Sequence, residues 1–136
     1  MWQQYKDKDG VGANLVFALF DMINPILHIA TRADWDAAQQ SAEYQVGSLD
    51  TEGFIHCSTP QQVLGPANAF YHGHHDLVLL VIVPAKRQAD LRYEAADHDM
   101  FPHIYGPLNL DAVVDVLPFP PREDGTFTLP PVLVHT

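Results

Sequence analysis

Between residues 26 and 118 the apolar positions fall into short runs, each closed by a turn residue, and only two stretches show helical spacing. Ile26–Ala30 reads as a strand with one histidine in its middle. Thr31 caps a following helix, with Asp34 at the capping-box position, that runs to about Tyr44. Gly47–Gly53 reads as a loop and Phe54–Cys57 as a short strand. Thr59 is the next N-cap, with Pro60 at N1 and Gln62 at N3, and Gly65-Pro66 is expected to kink or split that helix before Ala67–Tyr71. After a turn at His72–Asp76, Leu77–Val83 (LVLLVIV) is apolar at every position and predicts a central strand. Pro84–Asp90 is a polar connection. Leu91–Glu94 is a short strand, Ala95–Pro107 a long loop, Ala112–Leu117 another strand and Thr126–Leu129 an edge strand in a Pro-rich tail. Short strands outnumber helices and no βαβ rhythm appears, so the fold class is α+β, with small, mainly antiparallel sheets.

Strand alternation decides which side chains share a face. His28 lies opposite Leu27 and Ile29. His56 points with Phe54 and is followed on that side by Ser58, whereas Cys57 points with Ile55 into the apolar face. Arg92 and Glu94 lie opposite Leu91 and Tyr93. His28, His56, Ser58 and Glu94 are therefore placed to line one cleft, with His103 and Tyr105 closing it from the loop. The bland alternative is that each histidine is a part-buried residue with one backbone hydrogen bond, and that Arg92–Glu94 is a surface ion pair worth less than ~1 kcal/mol.

The 136 residues favour one domain, and 47% hydrophobic with 18% charged residues suits a globular chain. A formal net charge of −10, with seven scattered basic residues, argues against nucleic acid and against an anionic membrane surface as partners. The lone Cys57 excludes an internal disulfide framework and fits a reducing cytoplasm. His72-Gly-His74-His75 matches no metal-ligand spacing and reads as an exposed turn, so no metal site is expected. Residues 1–21 carry the short apolar run ANLVFALF after Lys-Asp-Lys-Asp-Gly. They read as an accessory segment, with 22–136 forming the single domain.

GFIHCST, LRYE and FPHIYGPLNLDAV, in that order after a first-strand histidine, resemble a family of small, mostly bacterial proteins known as domain of unknown function 952, over about Ile26 to Leu117. That family looks like a compact relative of the ADP-ribosyltransferase fold, which implies two small antiparallel sheets packed at an angle with an NAD cleft between them. The resemblance implies His28 as a ribose-binding residue and Glu94 as the carboxylate that stabilises positive charge on the ribose while the nicotinamide bond breaks. His56, Ser58, His103 and Tyr105 are then ligand-binding donors, and NAD is the implied cofactor or substrate. The net charge of −10 makes a diphosphate an awkward guest, with Arg32 and Arg92 the only cations near the proposed cleft. The functional readings therefore stay three: ADP-ribosyl transfer or NAD glycohydrolysis, a non-catalytic module for a nucleotide or small metabolite, and a regulatory protein–protein interaction domain.

Overall fold

A computed structural model describes residues 24–134, and the expected accessory segment 1–21 lies outside the described residues. In chain order the elements are β1 (Ile26–Thr31), α1 (Arg32–Ser41), β2 (Glu43–Tyr44), α2 (Gly47–Thr51), β3 (Ile55–His56), α3 (Leu64–Phe70), β4 (Leu77–Ile82), β5 (Asp90–Ala96), β6 (Asp99–Tyr105), β7 (Leu108–Asn109) and β8 (Val113–Pro118). All described strand pairs are antiparallel and form three sheets, β1-β4-β8, β2-β7 and β3-β6-β5. The architecture is α+β, with one more sheet than the two expected.

The β1-β4-β8 sheet is buried on both faces, because alternate residues of β1 and β4 feed two different cores. Leu27, Ile29, Leu79 and Val81 join Val63 and Ala67 near α3 and Phe119, Phe127 and Leu133 from the tail. Ile26, Ala30, Leu80 and Ile82 join Trp35 and Ala38 of α1, with Tyr44, Ile55, Ile104 and Leu108. The wholly apolar β4 is the centre of this sheet and is buried at all six positions, as a strand covered on both faces must be. Both faces of β1 are buried for the same reason: His28, opposite Leu27 and Ile29 as expected, sits between Ile26 and Ala30 on the side of the second core, 5% exposed.

Several local expectations change. α1 is capped as expected, Thr31 Oγ1 accepting from Asp34 N at 3.0 Å, but it stops at Ser41 instead of Tyr44. Ala42 takes the left-handed conformation (φ 69°) that usually falls to glycine, and Glu43–Tyr44 pair with Leu108–Asn109. The expected loop at Gly47–Gly53 contains α2. Thr59–Val63 is a turn, in which the Gln62 side chain accepts from Thr59 N at 3.1 Å. The helix begins at Leu64, which places Gly65-Pro66 in its first turn, where Pro needs no N–H partner, so no kink results.

The largest correction is Ala95–Pro107, a β-hairpin and not a loop. Asp97 (φ 48°) and His98 (φ 68°) are both left-handed, as the two-residue hairpin turn between Ala96 and Asp99 requires. The hairpin puts a proline in its sheet's middle strand. Cys57 N donates to Pro102 O at 3.0 Å, so Pro102 turns its missing N–H towards the same side, just past the last paired residue of β3. Thr126–Leu129 forms no strand. Phe127 N instead donates to Asn68 Oδ1 at 2.8 Å, and its ring stacks on Phe119 at 4.7 Å.

Candidate functional site

A cleft of about 510 Å³ opens at the free edge of β1. Pro66 and Phe70 of α3, with Tyr71 just past its end, form one wall, and Phe101 and His103 of the hairpin form another. Asp34, Glu52 and Asp97 contribute carboxylates, and no described Lys or Arg lines it.

His28, His56, Ser58 and His103 all border this cleft, whereas Glu94 and Tyr105 stand behind His103. Register explains the grouping. His56 lies opposite His103 across β3-β6, and Arg92 lies opposite His103 across β5-β6, so Phe54, His56, His103, Tyr105 and Glu94 share one sheet face. His103 Nδ1 lies 2.8 Å from Glu94 Oε1, and the Tyr105 hydroxyl donates to the same oxygen at 2.5 Å. The carboxylate can only accept, so Nδ1 carries the proton, leaving Nε2 as the side that makes no hydrogen bond within the described chain. The Tyr105 bond, then the His103 bond, hold the Glu94 carboxyl below its ordinary range and keep it ionised. Arg92 pairs with Asp90 at 2.9 Å and lies 4.3 Å over the Tyr105 ring, so it does not form the surface ion pair with Glu94 that the bland alternative offered. His56 is exposed and donates Nε2–H to Glu52 at 2.6 Å.

His28 is placed differently. Its Nδ1 lies 2.5 Å from the His56 carbonyl oxygen and its Nε2 2.8 Å from the Tyr44 hydroxyl. The carbonyl accepts, so Nδ1 holds the proton and Nε2 accepts from Tyr44. Burial lowers its pKa to about 4, and the ring is neutral at physiological pH. Both nitrogens are thus committed inside the protein. Burial raises the Tyr44 hydroxyl pKa and keeps that group in its donating form. Cys57 is buried, and burial pushes its thiol up as well.

Four contributors escape a reading of residue types alone. Phe54 stacks on His103 with ring centroids 4.0 Å apart, a placement its alternation with His56 already signals. Tyr44 is hidden by being counted into α1. Gln62 donates to Asp99 Oδ2 at 2.9 Å and to the Met100 carbonyl at 2.8 Å, clamping the hairpin tip beside the cleft, with no local signal for it. The fourth is backbone. Leu27 bonds Ser58 in both directions, at 2.7 and 2.8 Å, so it faces away from β4. Ile29, two residues on, faces the same way, and no described residue bonds its N–H or C=O.

His72 belongs to a separate turn, its ring lying over Gly125, where an added Cβ would come within 2.5 Å. Among the described residues no group of three His, Cys, Asp or Glu is placed to hold a metal ion. No described helix is long and apolar enough to cross a membrane.

The crystal structure of protein CC0527 from Caulobacter crescentus superposes with a TM-score of 0.72 at 32% identity, covering 77% of this chain and 94% of that one. The solution NMR structure of CC0527 gives 0.66 at 31% identity, over 76% and 90% of the two chains. No curated protein matches. The model of the family described as "Protein of unknown function (DUF952)" matches residues 29–116, which run from within β1 to within β8 and include His56 and His103 but begin one residue after His28, and the chain belongs to that family.

Proposed function

We propose that the cleft binds a small, non-phosphorylated metabolite carrying a planar carboxamide, of the nicotinamide-nucleoside kind. The observation that supports it most is the Ile29 main chain, which offers a donor and an acceptor side by side in a cleft of about 510 Å³ bordered by three carboxylates. A carboxamide presents the complementary acceptor and donor in one plane. Asp34, Glu52 and Asp97 favour a cationic heterocycle, and the apolar wall of Phe70, Tyr71 and Phe101 suits a flat ring. The same carboxylates oppose a diphosphate, which ranks NAD itself below its nicotinamide-ribosyl half.

Thermal melting with nicotinamide riboside, nicotinic acid riboside and NAD tests this reading. The riboside is expected to raise the melting temperature in proportion to log concentration. The acid analogue, with a carboxylate in place of the amide, is expected not to. Equal shifts from riboside and acid, or the largest shift from NAD, would remove the amide reading.

A second reading, ADP-ribosyl transfer or NAD glycohydrolysis on an ADP-ribosyltransferase-like frame, draws on Glu94. An ionised carboxylate one hydrogen bond behind a cleft-lining histidine is suited to positive charge developing on a ribose. It requires release of free nicotinamide on incubation with the riboside or NAD, abolished in Glu94→Gln. Binding without release leaves the non-catalytic module.

A further inference from the structure

We propose that His28 is a positioning residue that props the cleft open. Its imidazole takes the His56 carbonyl that would otherwise close the β1–β3 ladder, and so keeps the Ile29 N–H and C=O available to a ligand. The inference deepens the reading above, and its ligand arm rests on it.

The Leu27–Ser58 bridge sets the register. In an antiparallel ladder the mutually bonded pairs recur every second residue on each strand. The pair after Leu27–Ser58 is therefore Ile29–His56. Continued, the ladder would send Ile29 N–H to the His56 carbonyl and His56 N–H to the Ile29 carbonyl. His56 is oriented for this. Cys57 N points to Pro102, so the neighbouring His56 N–H and C=O point back towards β1. Yet neither bond is present among the described residues. The His56 carbonyl accepts instead from His28 Nδ1, at 2.5 Å.

The imidazole works as a strut with two fixed ends. One is the β3 carbonyl, and the other is the hydroxyl of Tyr44, fully buried on β2 and 2.8 Å from Nε2. The two rings meet edge to face at 5.2 Å. With a ring in place of one ladder bond, β1 and β3 part after a single bridge. The β1-β4-β8 and β3-β6-β5 sheets diverge there instead of merging, and the cleft fills the divergence, bordered by His28, Ile29, His56 and Ser58. An apolar residue at 28 would fill the core equally well but leave the His56 carbonyl free to bond Ile29.

Amide hydrogen exchange separates this role from simple core packing. In the native chain the Ile29 amide is expected to exchange at least tenfold faster than Ala30, which is bonded to β4. In His28→Leu, Ile29 is expected to gain at least tenfold protection as the ladder closes, and the nicotinamide riboside melting shift is expected to vanish. His28→Asn places an amide N–H where Nδ1 stood, so it should keep Ile29 unprotected and retain the shift. Mere loss of packing would speed exchange and could not protect Ile29. An Ile29 amide as protected as Ala30 in the native chain, or unchanged in a folded His28→Leu, overturns the proposal. Should His28→Leu not fold, imidazole ¹⁵N shifts of the native chain decide. The proton on Nδ1, with coupling across to the His56 carbonyl carbon, supports the strut, and a proton on Nε2 refutes it. If the exchange pattern holds but no probe shifts the melting temperature, the binding reading falls and the strut stands.

Discussion

His28 joins the folding equilibrium to pH because burial holds its pKa at about 4 against 6.5 in the unfolded chain. Across that interval the unfolded state binds a proton that the folded state refuses. Stability is therefore whole above pH 6.5 and falls as pH drops towards 4, by ~3 kcal/mol in all. The groups facing the ring are the His56 side chain, which opposes its charge, and Asp34, which favours it. Glu94 works in a separate window. Its lowered pKa gives stability that is present above the ordinary carboxyl range and lost only as pH falls below it. Denaturant melts from pH 7 to 5 should thus lose stability in the native chain and much less in His28→Asn. Cys57 makes a second test at this scale. Buried and with its thiolate disfavoured, it should resist a thiol reagent until the chain unfolds, and labelling within minutes of the native protein would contradict its place beside Ile55 in the second core.

Elements were legible in the sequence where hydrophobic pattern and turn chemistry agree. β1, β4 and the Thr31 cap follow from alternation, an unbroken apolar run and a capping oxygen. Two of the elements that were not legible, β2 and β6, depend on left-handed residues other than glycine. Ala42 ends α1, and Asp97-His98 turns the hairpin, without the Asn-Gly or Asp-Gly pair that marks such turns. A proline in β6 further disguised that strand, because its harmlessness depends on where β3 ends, a tertiary fact. The candidate site was legible in the same proportion. The shared face of Phe54 and His56 follows from period two, but the part played by Tyr44 needs the β2-β7 pairing, and the Ile29 edge needs the Leu27–Ser58 bridge. The turn supplies an element-scale prediction. His98 is exposed at φ 68°, where an L side chain costs ~1–2 kcal/mol and glycine loses ~0.5–1 in chain entropy. His98→Gly should therefore stabilise by about 0.5–1 kcal/mol, read as a higher denaturation midpoint at unchanged slope.

At the scale of the whole molecule the family match ends at residue 116, yet the first core does not. Phe119, Phe127 and Leu133 are each at most 3% exposed and pack against the face of β4 that carries Leu77, Leu79 and Val81. Phe127→Ala should cost about 3–5 kcal/mol in a denaturant melt, the usual range for deleting a buried ring. A loss below 1 kcal/mol would show the tail to be a dispensable wrapping. The two-faced sheet carries a wider consequence. Neighbouring residues of one strand, Leu79 and Leu80, belong to different cores, so neither core owns a backbone of its own. Solvent entering on the tail side must part the same ladder that holds Trp35 and Ile104 on the other. A half-melted form with one core dry is thereby denied to the chain, and heat or denaturant should meet a single all-or-none barrier. A lesion in the tail then reaches the second core on the far side as a change in how often the whole domain opens, with no change in how that core packs while it stays closed.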